Sequence, residues 1–174
     1  MKQKQFHWCW VIFTAITAFL LGALFHNLYP WSGNNIFIGL FFPINESIWE
    51  HLKLAFYPLI LIWFLFVHRM RLEPEFRWVN RLTACLISIL VSFLVISGTY
   101  YLLHSGFGLD GMLLHLGVYA LGLFCGQWLA VHVTFARRIP KWVGILSAIL
   151  LSMQVLTFAC FSLNPLAFPI FQSP

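Results

Sequence analysis

Apolar and polar positions divide the chain into five long apolar runs, at about 8–29, 47–67, 82–103, 111–135 and 142–163, separated by short polar or turn-rich stretches. Each run reaches the roughly 20 helical residues that cross a hydrocarbon core, so each predicts a membrane-spanning helix. Ile36 to Phe42 is also apolar, but seven residues make at most about 10 Å of helix, too short to cross. This piece is expected to dip into the membrane or lie along it. The predicted architecture is all-α: a polytopic transmembrane bundle of about five helices, forming one integral membrane domain over 1–174, with a short re-entrant or interfacial segment before helix two. The first run resembles a signal peptide in position, but its apolar part is too long and no A-x-A site follows, so it reads as retained.

Within the runs, small residues recur every four positions: Thr14, Ala18 and Gly22; Ala84, Ser88 and Ser92; Gly122 and Gly126; Gly144, Ala148 and Ser152. Such stripes let helices approach closely, either within the bundle or across a homo-oligomer contact. Pro58 lies inside the second run and removes one backbone donor.

Composition agrees with this reading. Hydrophobic residues make up 61% of the chain and charged residues 9%, against about 45–50% and 25% in soluble domains. The net charge of +5 does not indicate nucleic acid, because the cations fall in short clusters between apolar runs. Nine of the ten Lys and Arg fall on the face shared by the N-terminus, the 68–81 loop and the 136–141 loop; Lys53 is the exception. That asymmetry predicts a multipass protein of the cell membrane with its N-terminus cytoplasmic and its C-terminus outside. The lipid bilayer is the partner it implies. Cys9, Cys85, Cys125 and Cys160 have no C-x-x-C spacing and suggest neither a disulfide framework nor a thiolate zinc site.

Against this background, Pro43-Ile44-Asn45-Glu46-Ser47-Ile48-Trp49-Glu50-His51-Leu52-Lys53 stands out as a polar block set between apolar stretches. Ionisable groups at such a position point to function. The alternation of spans also brings His26, His104, Asp110 and His115 to the same outer end as Glu46, Glu50 and His51. Imidazole and carboxylate suit zinc and similar divalent ions, and a catalytic zinc needs three protein ligands and an open position. His26, Glu50, His51 and His115 are therefore candidate metal ligands. Glu46, Glu50 and His51 are candidate catalytic groups, since a carboxylate beside an imidazole is an acid–base pair. A divalent metal such as zinc is the cofactor this pattern suggests, and the substrate would be lipid-like or a small extracytoplasmic molecule.

A plainer reading competes with this one. Ser47 with Glu50 fits the S-x-x-E capping box, Asn45 is itself a capping residue, and Lys53 is placed to neutralise Glu46 and Glu50 along one helix face. His51 points about 100° away from Glu50 on a helix, so the two do not chelate by adjacency alone. The protein would then be structural or partner-binding. A transport-related role is a third reading, opposed by the near absence of ionisable residues in the inner halves of the runs. Asn45-Glu46-Ser47 also fits the N-x-S glycosylation pattern but abuts the membrane. No H-E-x-x-H, G-x-S-x-G or G-x-x-x-x-G-K-[ST] motif occurs.

With Gly22 to His26, the Trp31-Ser32-Gly33-Asn34-Asn35 turn and the 43–53 block in view, the chain resembles a family of small bacterial multipass membrane proteins of unknown function that carry a P-x-N-E-S-x-W-E-H-x-K block. The resemblance is specific over roughly residues 20 to 60. It implies an integral membrane protein and assigns no activity.

Overall fold

A computed structural model of the chain describes residues 2–65, 77–136 and 139–173. Of the expected charged loop at 68–81, the part with Arg69, Arg71, Glu73 and Glu75 lies outside the described residues, as do Arg137 and Arg138, while 77–81 is helical and not loop. Among the described residues seven α-helices follow in order: α1 Lys2–Phe25, α2 Leu28–Trp31, α3 Ile36–Gly39, α4 Ile48–Leu65, α5 Arg77–Tyr101, α6 Met112–Ala136 and α7 Lys141–Leu163. Among the described residues there is no strand. Five of the helices are long and apolar enough to cross a membrane.

The long helices run up and down, so their ends collect in two groups. At one end, His26 after α1 meets His51 of α4, and Tyr100 of α5 meets His115 of α6, with ring centroids 5.2 and 5.5 Å apart. At the other, Asn80 of α5 donates to the Thr134 carbonyl of α6 at 3.3 Å, and Trp8 of α1 stacks near Phe124. Helix α4 is the hub. Its apolar window is 56% buried, against 28% for α1 and 22% for α7, because Leu52, Phe56, Leu59, Ile62 and Trp63 face neighbours on several sides. Phe158 of α7 is fully buried against Trp49 and Phe56, at 4.9 and 5.3 Å between centroids.

The small-residue stripes are used inside the bundle. A side chain on Gly126 would run into Ser88 and Ser92, and one on Gly122 into Ile96, so α5 and α6 touch backbone to backbone there. Ser92 Oγ completes the contact by donating to the Gly122 carbonyl at 3.0 Å. On α1 the stripe leads to Gly22, which the Tyr119 hydroxyl of α6 and the Leu54 carbonyl of α4 both crowd. On α7 the buried line is Gly144, Ser147 and Leu151, while Ala148 is half-buried and Ser152 exposed. Packing there follows the alternation of three- and four-residue steps of a 3.6-residue helix rather than a strict period of four.

Several helix boundaries differ from the apolar runs. Helix α1 stops at Phe25, and the run to Tyr29 is broken by a turn at His26–Asn27. Helix α5 begins at Arg77, ahead of the apolar run, since helix geometry continues through polar residues. Its far end does not pass into a plain turn at His104; Leu102–Gly106 forms a π-helical turn. The short segment before α4 is two single turns, joined where Gly33 and Asn34 both take positive φ, 73° and 60°. Asn35 then caps α3, its Oδ1 accepting from Phe37 N–H at 2.9 Å.

Candidate functional site

The polar block enters α4 through an ordered set of local bonds. Ser47 is the N-cap, its Oγ accepting from Glu50 N–H at 3.3 Å. In a capping box the Glu50 carboxylate would return to Ser47 N–H. Asn45 Oδ1 takes that N–H instead, at 2.9 Å, and frees the carboxylate for other partners. Glu50 Oε2 accepts from Ile44 N–H at 3.0 Å and from Lys53 Nζ at 2.8 Å, while Oε1 accepts from Ser162 Oγ of α7 at 2.6 Å.

Lys53 is equally enclosed. Its three ammonium donors reach Glu50, the Gly39 carbonyl at 2.8 Å and the Phe42 carbonyl at 3.4 Å. Both residues are 1% exposed. Lys53 thereby ties the end of α3 to the first turns of α4, and Phe42 packs edge-on against Phe25 at 4.9 Å.

The other ionisable groups of the block face the opposite way. The helix starts at Ile48, so Glu46 lies before it rather than one turn below Glu50. Its Oε2 lies 3.3 Å from His51 Nε2 and 3.6 Å from His26 Nε2. His51 Nδ1 is 2.9 Å from the Ser47 carbonyl, which can only accept, so Nδ1 carries the proton. In the neutral ring the Nε2 lone pair then points at a carboxylate. Two acceptors at that distance call for positive charge between them, a proton or a metal ion.

His26, Glu46 and His51 each offer one ligand atom, and these atoms lie within 4.8 Å of one another. A tetrahedral ion held at about 2.0–2.1 Å separates its ligand atoms by about 3.3–3.4 Å, close to the spacings around Glu46. The carbonyl contact on His51 Nδ1 is the kind of outer partner that orients a metal-binding imidazole. These three residues are thus able to hold an ion and leave a coordination position open.

They sit on one wall of a cavity of about 700 Å³ between α1, α4, α5 and α6. Asp110 and His115 line it as well, with His115 Nε2 2.9 Å from Asp110 Oδ1. Tyr100 packs between His115 and His104, stacked on the latter at 5.1 Å. Most of the remaining lining is apolar, including Phe19, Leu54, Ile96 and Val118.

The sequence-predicted residues therefore separate. The structure brings His26, Glu46 and His51 together and places His115 in the same cavity, paired with Asp110. Glu50 does not line the cavity; its oxygens are taken up by Ile44, Lys53 and Ser162. Ser162 escapes sequence reasoning because a lone serine late in an apolar run reads as a small packing residue. Tyr119, which lines the cavity and whose hydroxyl donates to the Leu54 carbonyl at 2.7 Å, gives no signal either.

Fold and site define a small all-helical protein with five potential membrane spans and an ionisable cluster at one end of the bundle. The chain belongs to the family described as "Family of unknown function (DUF6512)", which it matches over residues 1–174. No curated protein and no solved structure matches it.

Proposed function

We propose that this is an integral membrane protein whose outer-end cavity binds a divalent metal ion through His26, Glu46 and His51, for metal-assisted or acid–base chemistry on a lipid-like or small extracytoplasmic substrate. The observation that carries the reading is the convergence of three ligand atoms within 4.8 Å at the edge of a largely apolar cavity. A bound ion would polarise a substrate oxygen or lower the pKa of a bound water. Asp110 with His115 supplies a second carboxylate–imidazole pair in the same cavity, suited to moving a proton. His115 is assigned to that pair rather than to the metal, and Glu50 to the support of the helix start. Placement of the cavity outside the cell rests on the charge asymmetry of the sequence, in which the alternation of spans assigns nine of the ten cations to the opposite face.

A structural reading of the polar block also has specific support, in the bonds of Asn45, Ser47, Glu50 and Lys53. It accounts for that half of the block and leaves Glu46 and His51 unexplained. The test is elemental analysis of protein purified after growth with zinc or manganese. Wild type should carry stoichiometric metal, while Glu46→Gln and His51→Ala should lose it and, with all three proteins stripped by chelator, melt near the metal-free wild type. Wild type that stays metal-free after both metals are supplied overturns the metal reading.

A further inference from the structure

Gly22 of α1 touches Tyr119 of α6 along one wall of the cavity, with the Tyr119 hydroxyl bonded across to Leu54 of α4 and Phe19 lining the cavity one turn deeper. Above that contact the cavity is lined by Ala23 of α1, Asn27 in the turn after it, and Met112 and Leu116 of α6, and all four are exposed. The flanking surface carries Leu20 and Leu24 on α1 and Leu113 on α6, 62%, 47% and 85% exposed, a face that a bilayer would cover.

Depth limits what fits. From Phe19 to Asn27, the lining residues at the two ends of this side, is eight residues, about 12 Å at helical rise, against a hydrocarbon core of about 30 Å. The volume of about 700 Å³ holds roughly twenty water-sized groups of about 30 Å³ each. That suits the polar linkage and first carbons of a lipid, with its chains left in the bilayer.

We infer that the cavity admits the headgroup and linkage region of a bilayer phospholipid sideways, through the gap between α1 and α6, and presents it to His26, Glu46 and His51. The inference rests on reading this cavity as a binding site and deepens it by naming the ligand class and its route.

The experiment uses full-length protein in vesicles of phosphatidylethanolamine and phosphatidylglycerol, with a photoreactive diazirine amino acid at Ile96. Ile96 lines the cavity, is 8% exposed and meets lipid only if lipid enters. Irradiation should yield a phospholipid adduct at Ile96, reduced several-fold by Ala23→Trp, which narrows the gap. A probe at Leu94, 75% exposed on the same helix, should give an adduct that Ala23→Trp leaves unchanged. Adducts at Leu94 with none at Ile96 overturn the inference. An Ile96 adduct undiminished by Ala23→Trp overturns the lateral route. Should the Ile96 probe disturb folding, Val118, 6% exposed in the same cavity, takes its place with the same outcomes. Metal content measured on the same samples separates the two readings: metal without a buried adduct leaves the metal site standing, and an adduct without metal leaves the lipid site standing.

Discussion

Glu50 and His51 are neighbours in sequence and have opposite surroundings. Glu50 is 1% exposed, and its carboxylate accepts three hydrogen bonds from Ile44, Lys53 and Ser162. His51 keeps one nitrogen on the Ser47 carbonyl and turns the other toward Glu46, whose side chain is 65% exposed at the cavity edge. One polar set has every partner within the chain, and the other gathers two imidazoles around one carboxylate at the cavity edge. A closed set supports the fold, whereas an open one is equipped to take a ligand. Charge and sequence position do not distinguish them; the count of satisfied lone pairs does.

The comparison breaks most visibly at Lys53. Lys53→Met leaves the Glu50 charge buried without its partner, and loss of one member of a buried pair costs about 3–5 kcal/mol. Thermal unfolding in detergent should show a large fall in melting temperature. The double variant Glu50→Gln, Lys53→Met should recover much of it, since a neutral pair carries no stranded charge. A smaller effect is expected at Ser162→Ala, which removes one hydrogen bond to a charged acceptor and should cost about 1.5–3 kcal/mol by the same measurement. Smallest is Glu46→Gln. Exposed ion pairs contribute about 0–1 kcal/mol, so its melting temperature should stay near wild type. A Glu46→Gln protein as unstable as Lys53→Met would show that both sets are structural and erase the contrast.

The five long helices were legible because each is an uninterrupted apolar run of the length a membrane span would need, and the runs lie within a residue of both ends of α6 and α7 and of the start of α4. Ends were less legible. Arg77 and Asn80 belong to α5 although nothing apolar marks them, and His104 sits in a π-helical turn that local composition does not encode. At the site, the gathering of His26, Glu46 and His51 at one end followed from counting spans. The separation of Glu50 from them did not. It depends on Asn45 taking the Ser47 N–H and on Ser162 arriving from α7, two contacts that a reading of neighbours along one helix misses. The capping box was half right for the same reason: Ser47 caps as its type demands, and the return bond is made by a different residue.

The bond from Ser162 to Glu50 joins residues 112 apart, and it has a consequence for how the protein is made. As the chain emerges from the ribosome, α4 is made long before α7 exists. At about 5–20 residues per second, Glu50 waits about 6–22 s for its last hydrogen-bond donor. During that interval the carboxylate has Lys53, one turn away on the same helix, as an escort already in place at insertion. The final span then acts as a latch. A chain that ends before α7 lacks the Ser162 donor and leaves the Glu50 carboxylate one hydrogen bond short.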